Sequence, residues 1–432
     1  MGNVRRLLLP SLVGFGSVYG ASATDCESLA TRLNLPDTAI HETTFISAGT
    51  NISLPNNHPS CAIPYQVSDV DICRVVLLAT TGPRSNISME AWLPLEWSGR
   101  FLGTGNGGMN GCIKYGDLNY GASHQFATIG TNNGHDGISG ASFFENPGVI
   151  EDYVYRAVHL EAELGKSIAE EFYGKKHTKS YYLGCSTGGR QGFKEAQSFP
   201  EDYDGIAATV RAIFSPVYGA NGRYIYPRLQ PGANATARLL NGEPHQYPLD
   251  WWRHVVYNNT EWDLSTMGPE DYEIASKQDP WGVSTWQGDL SAARDQGVKI
   301  LHYHGLQDNA ISSDNSERYY DYVSRTMGLP SSELDEFYRY FRISGMAHCR
   351  DGDGASMIGG NPETLASYEP DSNVLAAIVR WVEEGVAPDY ILGSRLTEAG
   401  DVDLQRRHCK YPARNVFKGE GDPTQADSWQ CV

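Results

Sequence analysis

"YLGCSTGGRQG", residues 182–192, sets a serine between a cysteine and a threonine, with glycines on both sides. Residues 179–184, "KSYYLG", read as a short strand and residues 189–199, "GRQGFKEAQSF", as a helix, so the serine stands at a strand-to-helix junction. Gly184-Cys185-Ser186-Thr187-Gly188 fits G-x-S-x-G, the nucleophile elbow. That turn needs small residues, because it is strained and side chains at the glycine positions would collide with neighbouring backbone. It aims the serine Oγ outward at a helix N-terminus, where free N–H groups can bind a developing oxyanion. The pattern arises by chance in glycine-rich chains, and this one holds 46 glycines. Its weight comes from the strand before it and the helix after it; a glycine turn with a bystander serine is the plainer alternative.

A nucleophilic serine needs a base, and the base needs an orienting acid. In α/β-hydrolases these follow in the order Ser…Asp/Glu…His, each on a loop after a strand. Asp308 lies in "HGLQDNAI", just past the strand-like run 298–305, and His348 lies in "GMAHC", just past the run 337–344. His302 and His304 fall within a strand and read as packed core histidines. Asp314 reads as an acid at a helix N-terminus. His408, in a second His-Cys pair, has no strong strand before it and is the weaker base candidate.

Cys185 precedes the candidate nucleophile and Cys349 follows the candidate base. A bond between them would hold the two backbones together, since disulfide Cα atoms lie roughly 4.4–6.8 Å apart. Sequence alone does not determine pairing, and each cysteine could serve as an ordinary staple elsewhere. The chain has 8 cysteines, an even count that suggests a disulfide framework in an oxidising compartment. None is spaced as C-x2-C, which disfavours zinc. "MGNVRRLLLPSLVGFGSVYGASA" (1–23) has the basic, apolar and small-residue order of a secretory signal. Four sequons, at Asn51, Asn86, Asn234 and Asn258, fit the same route as glycosylation sites. The net charge of −18 disfavours nucleic acid and anionic membranes as partners.

Strand-like and helix-like runs alternate along 74–210 and resume at 298, an α/β layer pattern. Residues 74–80, 87–93, 100–105, 126–132 and 204–210 read as strands. Residues 152–172, 316–327 and 374–385 read as helices, the first with Tyr153, Ala157, Leu160, Leu164 and Ile168 on one face. Between 211 and 290 the pattern fails amid Tyr, Trp, Pro and Asn. A structureless loop of that length is implausible, so the stretch reads as an inserted lid. The expected organisation is a signal over 1–23, an α/β-hydrolase catalytic domain formed by 24–210 with 291–432, and a lid over 211–290. Two glycine motifs resist the obvious reading. "GTGNGG" (103–108) matches G-x-G-x-x-G, but the following "MNGCIKYGDLNYG" reads as loop, so the dinucleotide fingerprint fails its context test. "RDGDG" (350–354) is too short for an EF-hand calcium loop.

"GCSTGG", an aspartate after a strand, and "HC" together resemble the Cys-Ser…Asp…His-Cys arrangement of the tannase/feruloyl esterase family. "WLPLEWSGRFLGTGNGGMNGC" (92–112), "TNNGHDG" (131–137), "YRAVH" (155–159) and "FPEDYDGIAA" (199–208) are similar as well. The resemblance implies secretion, an α/β-hydrolase fold with an inserted lid, and hydrolysis of esters of phenolic acids without a cofactor. It carries over Ser186, Asp308 and His348 as the triad and Cys185–Cys349 as its bridge. By analogy with esterases, Gly107 or Gly108 and Thr187 would supply the oxyanion-hole N–H groups. The family's lids commonly carry extra cysteines and an acidic calcium loop of the form C-D-x-x-D-G-x-x-D-G. Residues 211–297 contain neither, so no metal is expected and the lid should be smaller. The expected partner is a small-molecule or polysaccharide-linked phenolic ester. The alternatives are a tannase, a hydrolase of another aromatic ester, or a secreted phenol- or carbohydrate-binding protein on a retired hydrolase scaffold.

Overall fold

The computed structural model describes residues 19–20, 22–55, 57–208, 217–218, 224–227, 230, 232–234 and 243–432. Most of the expected signal, residues 209–210 of the expected catalytic domain, and residues 211–216, 219–223, 228–229, 231 and 235–242 of the expected lid lie outside them. Nine strands form the central sheet: β1 Thr38–Ile46, β2 Ile72–Gly82, β3 Ser85–Pro94, β4 Arg100–Thr104, β5 Phe126–Thr131, β6 Lys179–Gly184, β7 Gly205–Ala208, β8 Lys299–Gly305 and β9 Tyr338–Ile343. Their order is β9-β8-β7-β6-β4-β5-β3-β2-β1. The six strands from β5 to β9 at one side, β4 included, pair in parallel, while β3, β2 and β1 complete the sheet antiparallel.

Helices cover both faces, which is why the parallel strands read as short apolar runs rather than alternating ones. Tyr182 and Phe101 point into one core with α3 (Ala157–Tyr173), α4 (Thr187–Ser198) and α5 (Asp314–Met327). Tyr181 and Leu102, their chain neighbours, point into the other with α6 (Val374–Glu384). Gly385 ends α6 in the left-handed conformation at φ 72°, as its sequence position predicts. The helical face expected over 152–172 is present, with Tyr153, Ala157, Leu164 and Ile168 buried. Its first turn, Asp152–Arg156, is a π-helical bulge whose Tyr153 and Val154 carbonyls accept from the Arg190 guanidinium.

Three readings need correction. Residues expected as loop after the glycine motif contain α2, Tyr115–Ser123; Gly121 lets it lie against the sheet, since a Cβ there would sit 2.4 Å from Thr128 Cγ2. Strand β1 gave no sequence signal because it is half-buried along its length at the sheet edge. A strand does carry His408: Val402–Cys409 pairs with Tyr390–Leu396, and its polar run is satisfied by pairs such as Arg395–Asp403 and Arg407–Asp427. Ahead of β1, α1 (Ala23–Arg32) is tied to β2 by Cys26–Cys73.

In this topology the chain leaves β4 toward β5 and returns through α3 to β6 on the other side. The crevice at such a switch point, beyond the carboxyl ends of the strands, is where α/β folds bind ligands.

Beneath it, Glu161 of α3 and Glu195 of α4 are buried. Glu161 accepts from Thr104 N at 2.7 Å, and a Cβ on Gly103 would lie 2.6 Å from its Oε1, so only glycine fits there. Burial raises both carboxyls well above their usual range, and the neighbouring Asp202 adds to the rise of Glu195. A group raised in this sense stabilises the fold fully below its unfolded value, about 4.3, and that contribution is lost as pH climbs toward the folded value. Each such carboxyl should therefore lower stability as pH climbs through that window. Glu195→Gln should make stability fall less steeply with pH, read from urea midpoints at pH 5, 6 and 7; identical slopes would refute the raised carboxyl.

Candidate active site

Four loops meet at the carboxyl edge of the sheet. The elbow follows β6, a glycine loop (105–108) follows β4, the Asp308 loop follows β8, and the His348 loop follows β9. Ser186 adopts φ 60° and ψ −122°, a conformation that side chains rarely take. The flanking glycines make room for this turn, Gly184 most strictly. A Cβ on Gly184 would lie 2.5 Å from the Gly188 backbone, and one on Gly188 would lie 3.1 Å from Asn106 O. The second contact also packs the glycine loop against the elbow. Thr187 begins α4, so its N–H has no intrahelical acceptor.

The glycine loop is held by side chains that the sequence reading did not single out. Asn106 N donates to Gln191 Oε1 at 3.0 Å, and Asn106 Nδ2 donates to the carbonyls of Cys112 and Thr131. Gln191 Nε2 in turn donates to Asn133 Oδ1 at 2.9 Å, and His135 Nε2 bonds Met109 O at 2.8 Å. Cys61–Cys112 staples the loop's far end. These residues fall in "GTGNGG" and "TNNGHDG", so the stretches were visible although their roles were not. "YRAVH" and "FPEDYDG" meet likewise: His159 Nδ1 bonds Asp202 Oδ2 at 2.6 Å.

Cys185 and Cys349 form a disulfide with Cα atoms 6.4 Å apart, across 164 residues of chain. A His348 ring nitrogen lies within 4.8 Å of both sulfurs. His348 Nδ1 bonds Asp308 Oδ2 at 2.8 Å, leaving Nε2 as the nitrogen free to act on a substrate. Among the described residues Ser186 and His348 are not hydrogen-bonded to each other; such bonds often tighten only when substrate binds. Asp308 Oδ1 accepts from Ala310 N at 2.9 Å and Ile311 N at 2.8 Å, and Oδ2 also bonds His304 Nε2 at 3.2 Å. Burial alone would raise the Asp308 carboxyl; the hydrogen bonds from His304 and His348 overcome it and hold the group far below the usual range. Asp308 is therefore ionised throughout the working pH range.

The weaker candidates have structural places. His408 is buried, with Nε2 on Ala355 O at 2.8 Å and Nδ1 accepting from Ser344 N at 3.2 Å. Asp314 is the first residue of α5. "RDGDG" clasps the His348 loop: Ala347 N donates to Asp351 O at 3.2 Å and Gly354 N to Gly345 O at 3.0 Å. His159, Glu195 and Asp202 have ligand-type atoms within 4.8 Å of one another, but His159 Nδ1 already bonds Asp202 Oδ2 at 2.6 Å and burial raises the Glu195 carboxyl, which disfavours a cation here.

The described part of the insertion flanks the site on two sides. The Tyr247 ring lies 2.5 Å from where a Gly108 Cβ would stand, and Gly140 N and Ser139 Oγ both donate to Asp250 Oδ2. Asn309 Nδ2, beside Asp308, donates to Asn234 O at 3.2 Å. Stacked rings, Trp252–Trp262 at 5.7 Å and Tyr257–Trp262 at 5.2 Å, give the segment a small aromatic core of its own.

An elbow serine and an aspartate-anchored histidine at the carboxyl edge of this sheet are the arrangement of an α/β-hydrolase, here a carboxylic ester hydrolase. The family model for tannase and feruloyl esterase matches residues 73–216 and 276–432, and the chain belongs to that family. It is 40% identical to a probable feruloyl esterase B-1 of Aspergillus flavus, over all of both chains. That alignment runs over 527 positions, more than this chain has, so the relative carries residues without counterpart here. The crystal structure of feruloyl esterase B from Aspergillus oryzae superposes with a TM-score of 0.92 at 40% identity, covering 95% of this chain and 100% of that one. The tannin acyl hydrolase of Aspergillus niger, at 18% identity and a TM-score of 0.74, shares the fold. The protein is thus a feruloyl-esterase-like hydrolase. Its four disulfides suit an oxidising compartment. Among the described residues no helix is long and apolar enough to cross a membrane.

Proposed function

We propose that this chain hydrolyses esters of hydroxycinnamic acids through an acyl-enzyme, with Ser186 as nucleophile, His348 as general base and acid, and Asp308 as the orienting carboxylate. The observation that carries the reading is the Cys185–Cys349 bridge, which ties the elbow directly to the Asp308-anchored histidine. His348 Nε2 takes the Ser186 proton as Oγ attacks the ester carbonyl. The N–H of Thr187 with that of Gly107 or Gly108 binds the tetrahedral oxyanion. His348 then protonates the leaving alcohol, and a water activated the same way releases the acid. Asp308 holds the Nδ1–H tautomer and stabilises the imidazolium. Residues 211–290 act as the lid, a role supported by their contacts to both the glycine loop and the Asp308 loop. The protein is secreted, with 1–23 as signal; the exposure of Asn51, Asn86, Asn234 and Asn258 supports glycosylation at these sequons.

The test is a substrate panel. Methyl ferulate, caffeate and p-coumarate should each exceed methyl gallate in kcat/KM by at least about 10-fold, the discrimination an apolar pocket supplies. The reverse order would make the enzyme a tannase. Labelling of Ser186 by a fluorophosphonate, mapped by peptide mass, should be stoichiometric; an unlabelled, properly folded protein would instead support a binding role on a retired scaffold.

A further inference from the structure

Behind Asp308 runs a buried polar chain that the triad chemistry does not itself require. His302 and His304 alternate with Tyr303 on β8 and so share one face of the sheet. His304 Nε2 bonds Asp308 Oδ2 at 3.2 Å, and His304 Nδ1 bonds Ser316 Oγ of α5 at 2.7 Å. Ser316 Oγ meets His302 Nε2 at 3.0 Å, and His302 Nδ1 meets the Tyr338 hydroxyl of β9 at 2.8 Å. All of these residues are at most 3% exposed. Buried polar groups this far from water are retained only when each finds a partner, and here each does.

The ionised Asp308 sets the direction of every bond. A carboxylate only accepts, so His304 must carry its proton on Nε2. With His304 neutral, Nδ1 then accepts from the Ser316 hydroxyl. The Ser316 oxygen accepts from His302 Nε2–H, and His302 Nδ1 accepts from Tyr338 O–H. Burial pushes His302 well below its ordinary value, in keeping with its neutral form in this chain. The same carboxylate oxygen thus receives two imidazole N–H groups, one from His348 and one from His304.

We propose that His304 is a positioning residue for the hydrolysis: its Nε2–H, oriented through Ser316, fixes the Asp308 carboxylate and draws off part of its negative charge, which sets the basicity of His348. The inference rests on the acyl-enzyme reading above. The titratable and charged groups packed around the network are His302 on β8, Tyr338 and Tyr340 on β9, Arg190 across a small cavity from His302, and Asp353, bonded to Gln307 beside Asp308. The adjacent disulfide does not titrate.

Losing the His304 donor leaves more charge on Asp308, so the His348 imidazolium is better stabilised and the acid limb of kcat/KM moves up in pH. For His304→Phe on methyl ferulate we expect kcat to fall about 10- to 100-fold with KM little changed, and the acid limb to rise by roughly half to one pH unit. His304→Gln, whose amide can donate to Asp308 and accept from Ser316, should recover most of the rate and the native limb. Ser316→Ala should move the limb the same way by less. A folded His304→Phe with native kcat and native limb overturns the proposal. So does His304→Gln as impaired as His304→Phe with no limb shift. If His304→Phe does not fold, a native pH profile in Ser316→Ala overturns it. Inactive Ser186→Ala beside unaltered His304 variants removes this inference alone, whereas fully active Ser186→Ala removes the acyl-enzyme reading on which it rests.

Discussion

Replacing Ser186 with alanine should lower kcat by roughly 10⁴- to 10⁶-fold while leaving KM within a few-fold, because the group removed makes and breaks the acyl bond. The residual rate would come from the oxyanion donors and binding. Stability should be unaffected, since alanine inherits the same backbone angles, φ 60° and ψ −122°. Ser186→Gly separates the two effects. It should be equally inactive, yet at least as stable as the native protein, because glycine releases about 1–3 kcal/mol of backbone strain against its own entropy cost of about 0.5–1 kcal/mol. Initial rates on methyl ferulate and thermal unfolding of the three proteins check both halves. Retention of more than a few per cent of the native rate by Ser186→Ala would remove that residue from the chemistry.

The second large effect concerns the bridge. Cys185→Ala/Cys349→Ala opens a loop of 164 residues, and the chain-entropy relation assigns such a cross-link on the order of 5 kcal/mol. Catalysis should suffer as well, because the bridge sets the distance between elbow and base, and an error of about 1 Å there costs about 100-fold in rate. The Cys409–Cys431 bridge, with a separation of 22, is the control. Its removal should cost about 3 kcal/mol and leave kcat at the native value, since it braces the C-terminal strands. Urea unfolding and kcat measured on both double variants give the comparison. Equal loss of kcat in the two would mean that the bridge beside the active site acts through global stability alone.

Much of the site was legible because its chemistry is written in short, local signals. G-x-S-x-G needs glycines at fixed offsets, and the contacts at Gly184 and Gly188 show why. Asp308 and His348 were identifiable as the acid and histidine that follow strands β8 and β9. The parallel strands stood out because burial on both faces makes them continuous apolar runs. Edge strand β1, helix α2 and the strand bearing His408 were missed for the converse reason. The first is half-buried, the second packs by close approach at Gly121, and the third satisfies its charges laterally through pairs such as Arg395–Asp403.

Local sequence thus determined the elbow, the parallel strands, the helices that cover them and the three residue types of the proposed triad. Each depends on neighbours within about a dozen positions, over which side-chain period and turn chemistry act. Only the tertiary structure decided which side chains serve them. Gln191 reaches Asn106 across 85 residues, His348 reaches Asp308 across 40, and Ser316 of helix α5 bonds His304 of strand β8, whose other ring nitrogen meets the same carboxylate. Such partners are chosen by the need of buried donors and acceptors for one another once water is gone, and that need leaves no periodic trace in the chain.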